Sequence, residues 1–376
     1  MKVEEVNNFQ GLRKKWNDLL KNSLLGGNVF LTWEWLSTSW KHFGEGRKLL
    51  LLLVEDKNEV LAIAPLMLSK YKLPGFGTIK KVEFLGAPHS DYNNFIILKR
   101  EAECLRLIID YLTDTVTEWD WIEFKEIPVT IENAGSLEKL FTSYPPELKQ
   151  EKRVCNKCPY ISLPNSFHIL LQRLSKNMRQ NLNKYLRKIS EKYHVELKRY
   201  DEADLSVKEA MEIFIKLNEK RWRSEGLLGS FLSKEESFRN FHINVAELFA
   251  EKGWLGLYFL TADGEPISAQ YNFEYGEKMF YYLAGFDPQY SNYSVGNLIV
   301  SFLLERCIKK GFREYDMMRG DEPYKLMWTH TIRRNFEIKF VRERWHSRFF
   351  NWIISNTMVN SLAGKLKFSL KRRTCD

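Results

Sequence analysis

The sequence predicts an α/β (α+β) chain of two similar halves, each a mixed sheet flanked by helices. Three observations carry this. The 376 residues are long for one hydrophobic core and suit two. Strands, then a helix, then a strand follow one another in that order in both halves. Between Lys278 and Trp328 the order is sharpest: an alternating strand, a Gly-Phe-Asp-Pro turn, a helix opened by Ser294-Val295-Gly296-Asn297, a stop at Gly311 and a second strand. The expected units are residues 1–160, residues 161–342 and a basic amphipathic tail, 343–376. The two halves barely resemble each other in sequence, so the repeat is one of element order.

In the first half, Phe9 to Leu20 reads as a short amphipathic helix, and Thr32 as the N-cap of a second. Lys48–Glu55 and Val60–Ser69 are strands joined by the turn Asp56-Lys57-Asn58. Lys81–Leu85 and Phe95–Leu98 follow as strands, Cys104–Thr113 as a helix and Trp119–Phe124 as a strand. The second half opens after Tyr160–Leu163. Leu171, Leu174, Met178, Leu182, Tyr185, Ile189 and Tyr193 recur at steps of three and four, which predicts one long helix over 167–193. Helices over 208–225 and 238–251 follow. Strands 255–260, 267–275 and 278–284 are joined by Asp263-Gly264 and Gly276-Glu277. A final strand near 336–342 ends this half.

Composition is globular, 44% hydrophobic and 28% charged, which argues against disorder. The formal charge of +9, from 57 basic and 48 acidic side chains, suits anionic partners and selects none. Five cysteines without framework spacing suggest a reducing compartment. Cys155-Asn156-Lys157-Cys158 lacks the second pair a zinc ribbon needs, so two reduced thiols are expected there. The seven histidines are scattered, and no metal is expected. The N-terminus has no apolar signal region, and no apolar run approaches the ~18 residues of a membrane span. A cytoplasmic location is expected.

A helix N-terminus presents unpaired N–H groups with partial positive charge, and a glycine there admits an anion close to the backbone. Ser294, Val295, Gly296 and Asn297 are therefore the candidate donor-holding residues, with a plain helix start as the alternative. The segment resembles the acetyltransferase domain of the CelD/BcsL type, within the GNAT superfamily and close in architecture to the FemAB peptidyltransferases. The residues carrying the resemblance are Tyr281, Gly285, Asp287, Pro288, Tyr290, Ser294, Gly296, Asp316, Gly320, Glu322, Tyr324, Lys325 and Trp328. Met317-Met318-Arg319 and Pro323 depart from the pattern. In the first half the resemblance rests on Phe30, Trp33, Trp35, Pro65, Phe84-Leu85-Gly86 and Asp91-Tyr92. It implies two tandem GNAT-like domains over about residues 29–342.

The resemblance also implies acyl transfer, with acetyl-CoA or another acyl-CoA as co-substrate. Such transfer needs a held donor, a polarised thioester and an acceptor relieved of its proton. Asp316, Glu322 and Lys325 are the catalytic candidates. Asp316 reads either as a buried anchor or as a base with a raised pKa. Arg221, Trp222, Tyr282, Tyr324 and Trp328 are the candidates for holding the acceptor, since an arginine clamps anions and aromatic rings stack. The expected acceptor is an amine or hydroxyl on a sugar, glycolipid or cell-surface polysaccharide precursor. The alternatives are a FemAB-like transferase using aminoacyl-tRNA and a non-catalytic binding module of the same fold. Between Arg173 and Lys192 lie seven basic residues and one acid, a solvated face or, under the first alternative, an RNA contact. The tail beyond Arg342 carries few acids and is either packed on the domain or laid against a membrane surface.

Overall fold

The computed structural model describes residues 1–342 apart from 24, 74–76, 88, 130–147, 228–230 and 232–235. The expected tail, 343–376, lies outside the described residues. The elements of the first half are β1 (Lys2–Val6), α1 (Arg13–Asn22), α2 (Trp33–Phe43), β2 (Lys48–Asp56), β3 (Glu59–Leu73), β4 (Gly77–Phe84), β5 (Ile96–Ile97), α3 (Glu101–Asp110) and β6 (Trp121–Pro128). Then come β7 (Leu148–Ser162), α4 (Phe167–Arg173), α5 (Lys176–Ser190), β8 (Val195–Arg199), α6 (Val207–Ser224) and α7 (Glu236–Glu251). The chain continues through β9 (Leu255–Ala262), β10 (Glu265–Tyr275), β11 (Lys278–Phe286), α8 (Val295–Lys309), β12 (Glu314–Asp316), the one-turn α9 (Pro323–Leu326) and β13 (Ile332–Arg342).

All the strands join one sheet in the order β1-β2-β3-β4-β6-β13-β7-β12-β11-β10-β9-β8, with β5 on β3. Each half repeats one plan: antiparallel strands, then a parallel pair reached by a helical crossover. The parallel pairs are β4 with β6 and β11 with β12, three residue pairs each. The last strand, β13, lies between β6 of the first half and β7, and both its pairings are antiparallel. The two halves therefore share their central strands.

The three larger cores among the described residues follow from strand alternation. Leu49, Leu51 and Leu53 of β2 join α1, α2, α6 and α7 in a core common to both halves. Leu50, Leu52 and Val54 point the other way, onto α3. On the second half's other face, Met279, Tyr281 and Tyr315 pack under α4, α5 and α8.

Local chemistry explains most of the boundaries. The Thr32 side chain accepts from Trp35 N–H and caps α2, a contact worth about 1 kcal/mol. Asp263-Gly264 and Gly276-Glu277 all take positive φ, the geometry of tight hairpin turns. The single helix expected over 167–193 is two helices. Leu174 is extended, and the Ser175 side chain accepts from Met178 N–H to start α5. Both helices keep the same apolar stripe, so the rhythm ran through the break. The strands β1 and β8 and most of the length of β7 were not expected either. No helix among the described residues is long and apolar enough to cross a membrane.

Candidate functional site

β11 and β12 pair only from Lys278 to Phe280 and from Glu314 to Asp316, and then separate. The chain beyond β12 stays with β7, through Met317 N–H to Pro159 O and Gly320 N–H to Lys157 O. β11 runs on alone to Phe286, paired with β10 on one edge. Its other edge, over 281–286, has no strand partner among the described residues. The register with β10 slips at this point. Tyr281 faces Asn272 and Leu283 faces Tyr271, leaving Tyr282 as the extra residue of a bulge. Gly285 lets α6 lie against the strand, because a Cβ there would stand 2.3 Å from Asn218 N. Asn218 Nδ2 donates to Ala284 O at 2.7 Å and fixes that approach.

At the end of β11 the Asp287 carboxylate accepts from Gln289 N–H and pairs with Lys220, 2.5 Å away. A 3₁₀ turn, Pro288–Tyr293, leads to Ser294 in the left-handed conformation, and α8 begins. Its first turn contains no acid. Gly296 is exposed, and an added Cβ would meet nothing within 4 Å. Asn297 Nδ2 donates to Ser294 Oγ at 3.0 Å, and Trp328 Nε1 donates to Asn297 Oδ1 at 3.3 Å. Ser294, Val295, Gly296 and Asn297 thus form one uncapped helix start, with the buried Trp328 behind it. Asn297 N–H turns back to Ser294 O at 2.9 Å, which leaves the N–H groups of Val295 and Gly296 as the ones without a backbone partner in this turn.

Beside the open edge of β11, the Tyr281 and Tyr324 phenols lie close enough to act on each other. Burial pushes both phenols up, so both stay protonated at neutral pH. Arg221 and Glu322 lie close enough to act on this pair electrostatically. The Arg221 guanidinium sits 5.0 Å from the Trp222 ring and 5.7 Å from that of Phe286, and pairs with Glu225. Glu322 is exposed at the start of α9, and Lys325 Nζ lies 2.9 Å from its carboxylate. Lys325 is otherwise buried and donates to Arg319 O at 2.7 Å and Gly320 O at 3.3 Å. Gly320, at φ 103°, permits this turn, since a Cβ would meet the Glu322 carboxylate at 2.6 Å.

Asp316 stands elsewhere. It is fully buried at the junction of the halves, accepting from Tyr92 Oη at 2.8 Å, Met318 N–H at 2.9 Å and Arg333 at 2.7 Å. Burial pushes its carboxyl up to about 6 against the pull of Arg333. Asp316 and Lys325 share no hydrogen bond or ion pair. Next to it, Arg319 pairs with Asp91 at 3.0 Å and reaches Glu126 at 3.6 Å, both from the first half. Tyr282 faces away from Tyr281, packs on Phe30, Trp35 and Phe273 in the common core, and donates to His89 O at 2.9 Å. The structure therefore groups Tyr281, Tyr324, Glu322, Lys325, Arg221 and Trp222 near the open edge. Ser294–Asn297 and Trp328 form the helix start at its end, and Asp316 and Tyr282 lie apart. Reading the sequence alone passed over Arg333 and the Asp91–Arg319 pair. The Asp91-Tyr92 dipeptide, already part of the resemblance, was the one local signal.

Known proteins agree with this architecture. Residues 176–326 match the family model described as an acetyltransferase (GNAT) domain. No curated protein matches the chain. Among solved structures, FemX shares 12% identity at a TM-score of 0.62, covering 90% of this chain and 97% of its own. A tandem GNAT protein from the clavulanic acid biosynthesis pathway shares 9% at 0.50, covering 90% and 98%. A conserved protein from Bacteroides thetaiotaomicron shares 10% at 0.51, covering 90% and 99%. At such identities the likeness is one of fold. The chain shares the fold of a tandem GNAT protein, and residues 176–326 match a GNAT acetyltransferase domain.

Proposed function

We propose that this protein is a CelD/BcsL-type acyltransferase that moves an acyl group, most directly acetyl, from acyl-CoA to an amine or hydroxyl of a sugar, glycolipid or cell-surface polysaccharide precursor. The observation that carries the reading is the open edge of β11 ending at an exposed, acid-free helix start. A pantetheine arm is an extended chain with amide groups, suited to the strand edge over 281–286, where Asn218 already holds Ala284 O. The donor's pyrophosphate then meets the N–H groups of Val295 and Gly296. The residues fit such a co-substrate, because Gly296 leaves the approach free of any side chain.

In this reading the acceptor nitrogen or oxygen attacks the thioester carbonyl directly. The new C–N or C–O bond forms as the C–S bond breaks. Glu322 takes the acceptor's proton, and Tyr324, held protonated, gives its own to the departing thiolate. Lys325 holds Glu322 and the 319–320 turn in place. Arg221 and Trp222 hold the acceptor. Asp316 acts on the site through the β12 backbone that it fixes. The reading places the enzyme in the cytoplasm, where carrier-linked glycans at the inner membrane face are within reach.

Thermal melts with acetyl-CoA, longer acyl-CoAs and free CoA test the donor. A ligand at ~100 times its dissociation constant stabilises the fold by about 2.7 kcal/mol. No shift with any of the three sinks the reading. A submicromolar tRNA complex with a steep salt slope, and no CoA binding, would favour the aminoacyl-tRNA alternative instead.

A further inference from the structure

We infer that Lys184 and Lys188 of α5 form a phosphate-selecting shelf beside the start of α8, one that takes the 3′-phosphate of the donor's adenosine. The inference rests on the acyl-CoA reading above and adds a determinant of donor choice. Both lysines are exposed and lie one helical turn apart on the same side of α5. Lys188 Nζ lies 3.4 Å from Asn292 O and 5.2 Å from the centre of the Tyr293 ring. Tyr293 and Asn292 directly precede Ser294, so this ammonium borders the helix start. Lys184 stands over the Tyr185 ring. Neither lysine has an acidic partner among the described residues, whereas Arg187 on the same helix pairs with Glu191 at 3.7 Å.

Two like charges one turn apart destabilise a helix unless an anion answers them. The buried stripe of α5, Met178, Leu182 and Ile189, packs in the same core as Val295 and Leu298 of α8, which fixes the shelf relative to the helix start. An anion held at Val295 and Gly296 accounts for one phosphate group of CoA. Its ribose carries a second, separate phosphomonoester, and the lysines offer two charges at the border of that position. Lysine suits this role as a compact point charge on a long, adjustable stem.

The test compares CoA with 3′-dephospho-CoA by calorimetric titration, on the wild type and on Lys184→Ala/Lys188→Ala. CoA should bind the wild type about tenfold more tightly, a preference of about 1.4 kcal/mol. The double variant should bind both ligands at the weaker level, with unchanged melting in the absence of ligand because both side chains are exposed. Arg187→Ala should keep the preference. Raising the salt should shrink the preference in the wild type. Equal binding of the two ligands by the wild type overturns the shelf and leaves the donor reading standing. Binding of neither ligand overturns both. A preference that survives in the double variant also overturns the shelf.

Discussion

The two halves are built to one plan and differ where their parallel strands separate. In the second half β11 runs on past its last pair with β12, and its edge stays open. In the first half β4 ends one residue beyond its last pair with β6, and the chain folds back into the gap. Asn93 N–H donates to Glu126 O at 2.7 Å, and Asn93 Nδ2 to Lys125 O. The helix starts differ in the same sense. α8 opens on Ser294-Val295-Gly296 with no acid in its first turn. α3 opens with Glu101 and Glu103, and Arg100 beside them is paired to Glu103 and Asp56. Carboxylates stabilise a helix N-terminus and repel any other anion from it. One fold thus gives a half that answers its own backbone and dipole, and a half that leaves its strand edge and helix start more open.

The strongest challenge to this comparison is at the seam. Asp316→Ala leaves the Tyr92 hydroxyl without its buried acceptor and Arg333 with Glu314, 3.1 Å away, as its remaining partner, and should cost up to about 3 kcal/mol. Denaturant melts should show this as a large loss. The milder Asp316→Asn reads the charge. Burial lifts the carboxyl to about 6 in the fold from an ordinary value near 3.8. Between those values the folded chain holds the proton more tightly than the unfolded one. Its contribution to stability therefore falls as pH rises from about 4 to about 6. Asp316→Asn should remove that slope. A variant with an unchanged pH profile and normal stability would mean that Asp316 does not tie the halves together.

Two glycines compare the halves next. Gly285→Ala drives a Cβ into the Asn218 backbone, which cannot swing away, and should cost about 3 kcal/mol. Gly86→Ala in the first half meets side chains rather than backbone, Ser90 Oγ at 2.2 Å and Asn93 Oδ1 at 2.8 Å; both are buried and hydrogen-bonded, so the cost should be about 2 kcal/mol. Equal melting temperatures for the two variants would break the argument that β11 is fixed by a backbone-to-backbone contact. Tyr324→Phe should lower turnover roughly a hundredfold at nearly unchanged donor affinity, the signature of a proton donor used in the transition state. A rise in KM alone would make it a binding residue. The smallest effect belongs to the first half. Glu101→Gln with Glu103→Gln should leave acetyl-CoA affinity unchanged, and a gain of a second binding site would show that only those charges keep α3 closed.

Much of this comparison was legible in residues that act on their neighbours. Asp263-Gly264 and Gly276-Glu277 marked their hairpins, Thr32 its helix, and Ser294-Val295-Gly296 the open helix start. What escaped is what depends on distant chain. β7 is charged along much of its length, because it serves as a joint between β13 and β12 and neither face is a simple apolar stripe. The break at Leu174-Ser175 was hidden by an apolar rhythm that both helices share. Tyr92 and Asp316 lie 224 positions apart, and nothing in either neighbourhood announces that they meet. Tyr281 and Tyr282 look equivalent in sequence, and only the bulge and the two cores send one to the site and the other to the interior.

The central claim is that one half alone takes the donor, at the start of α8. Titration calorimetry of acetyl-CoA into the wild type and Gly296→Val tests it most directly, since the valine side chain enters open space and leaves the fold intact. The account predicts one site per chain in the wild type and none in the variant, with both proteins melting at similar temperatures. Two sites per chain, or undiminished binding to Gly296→Val, would contradict it.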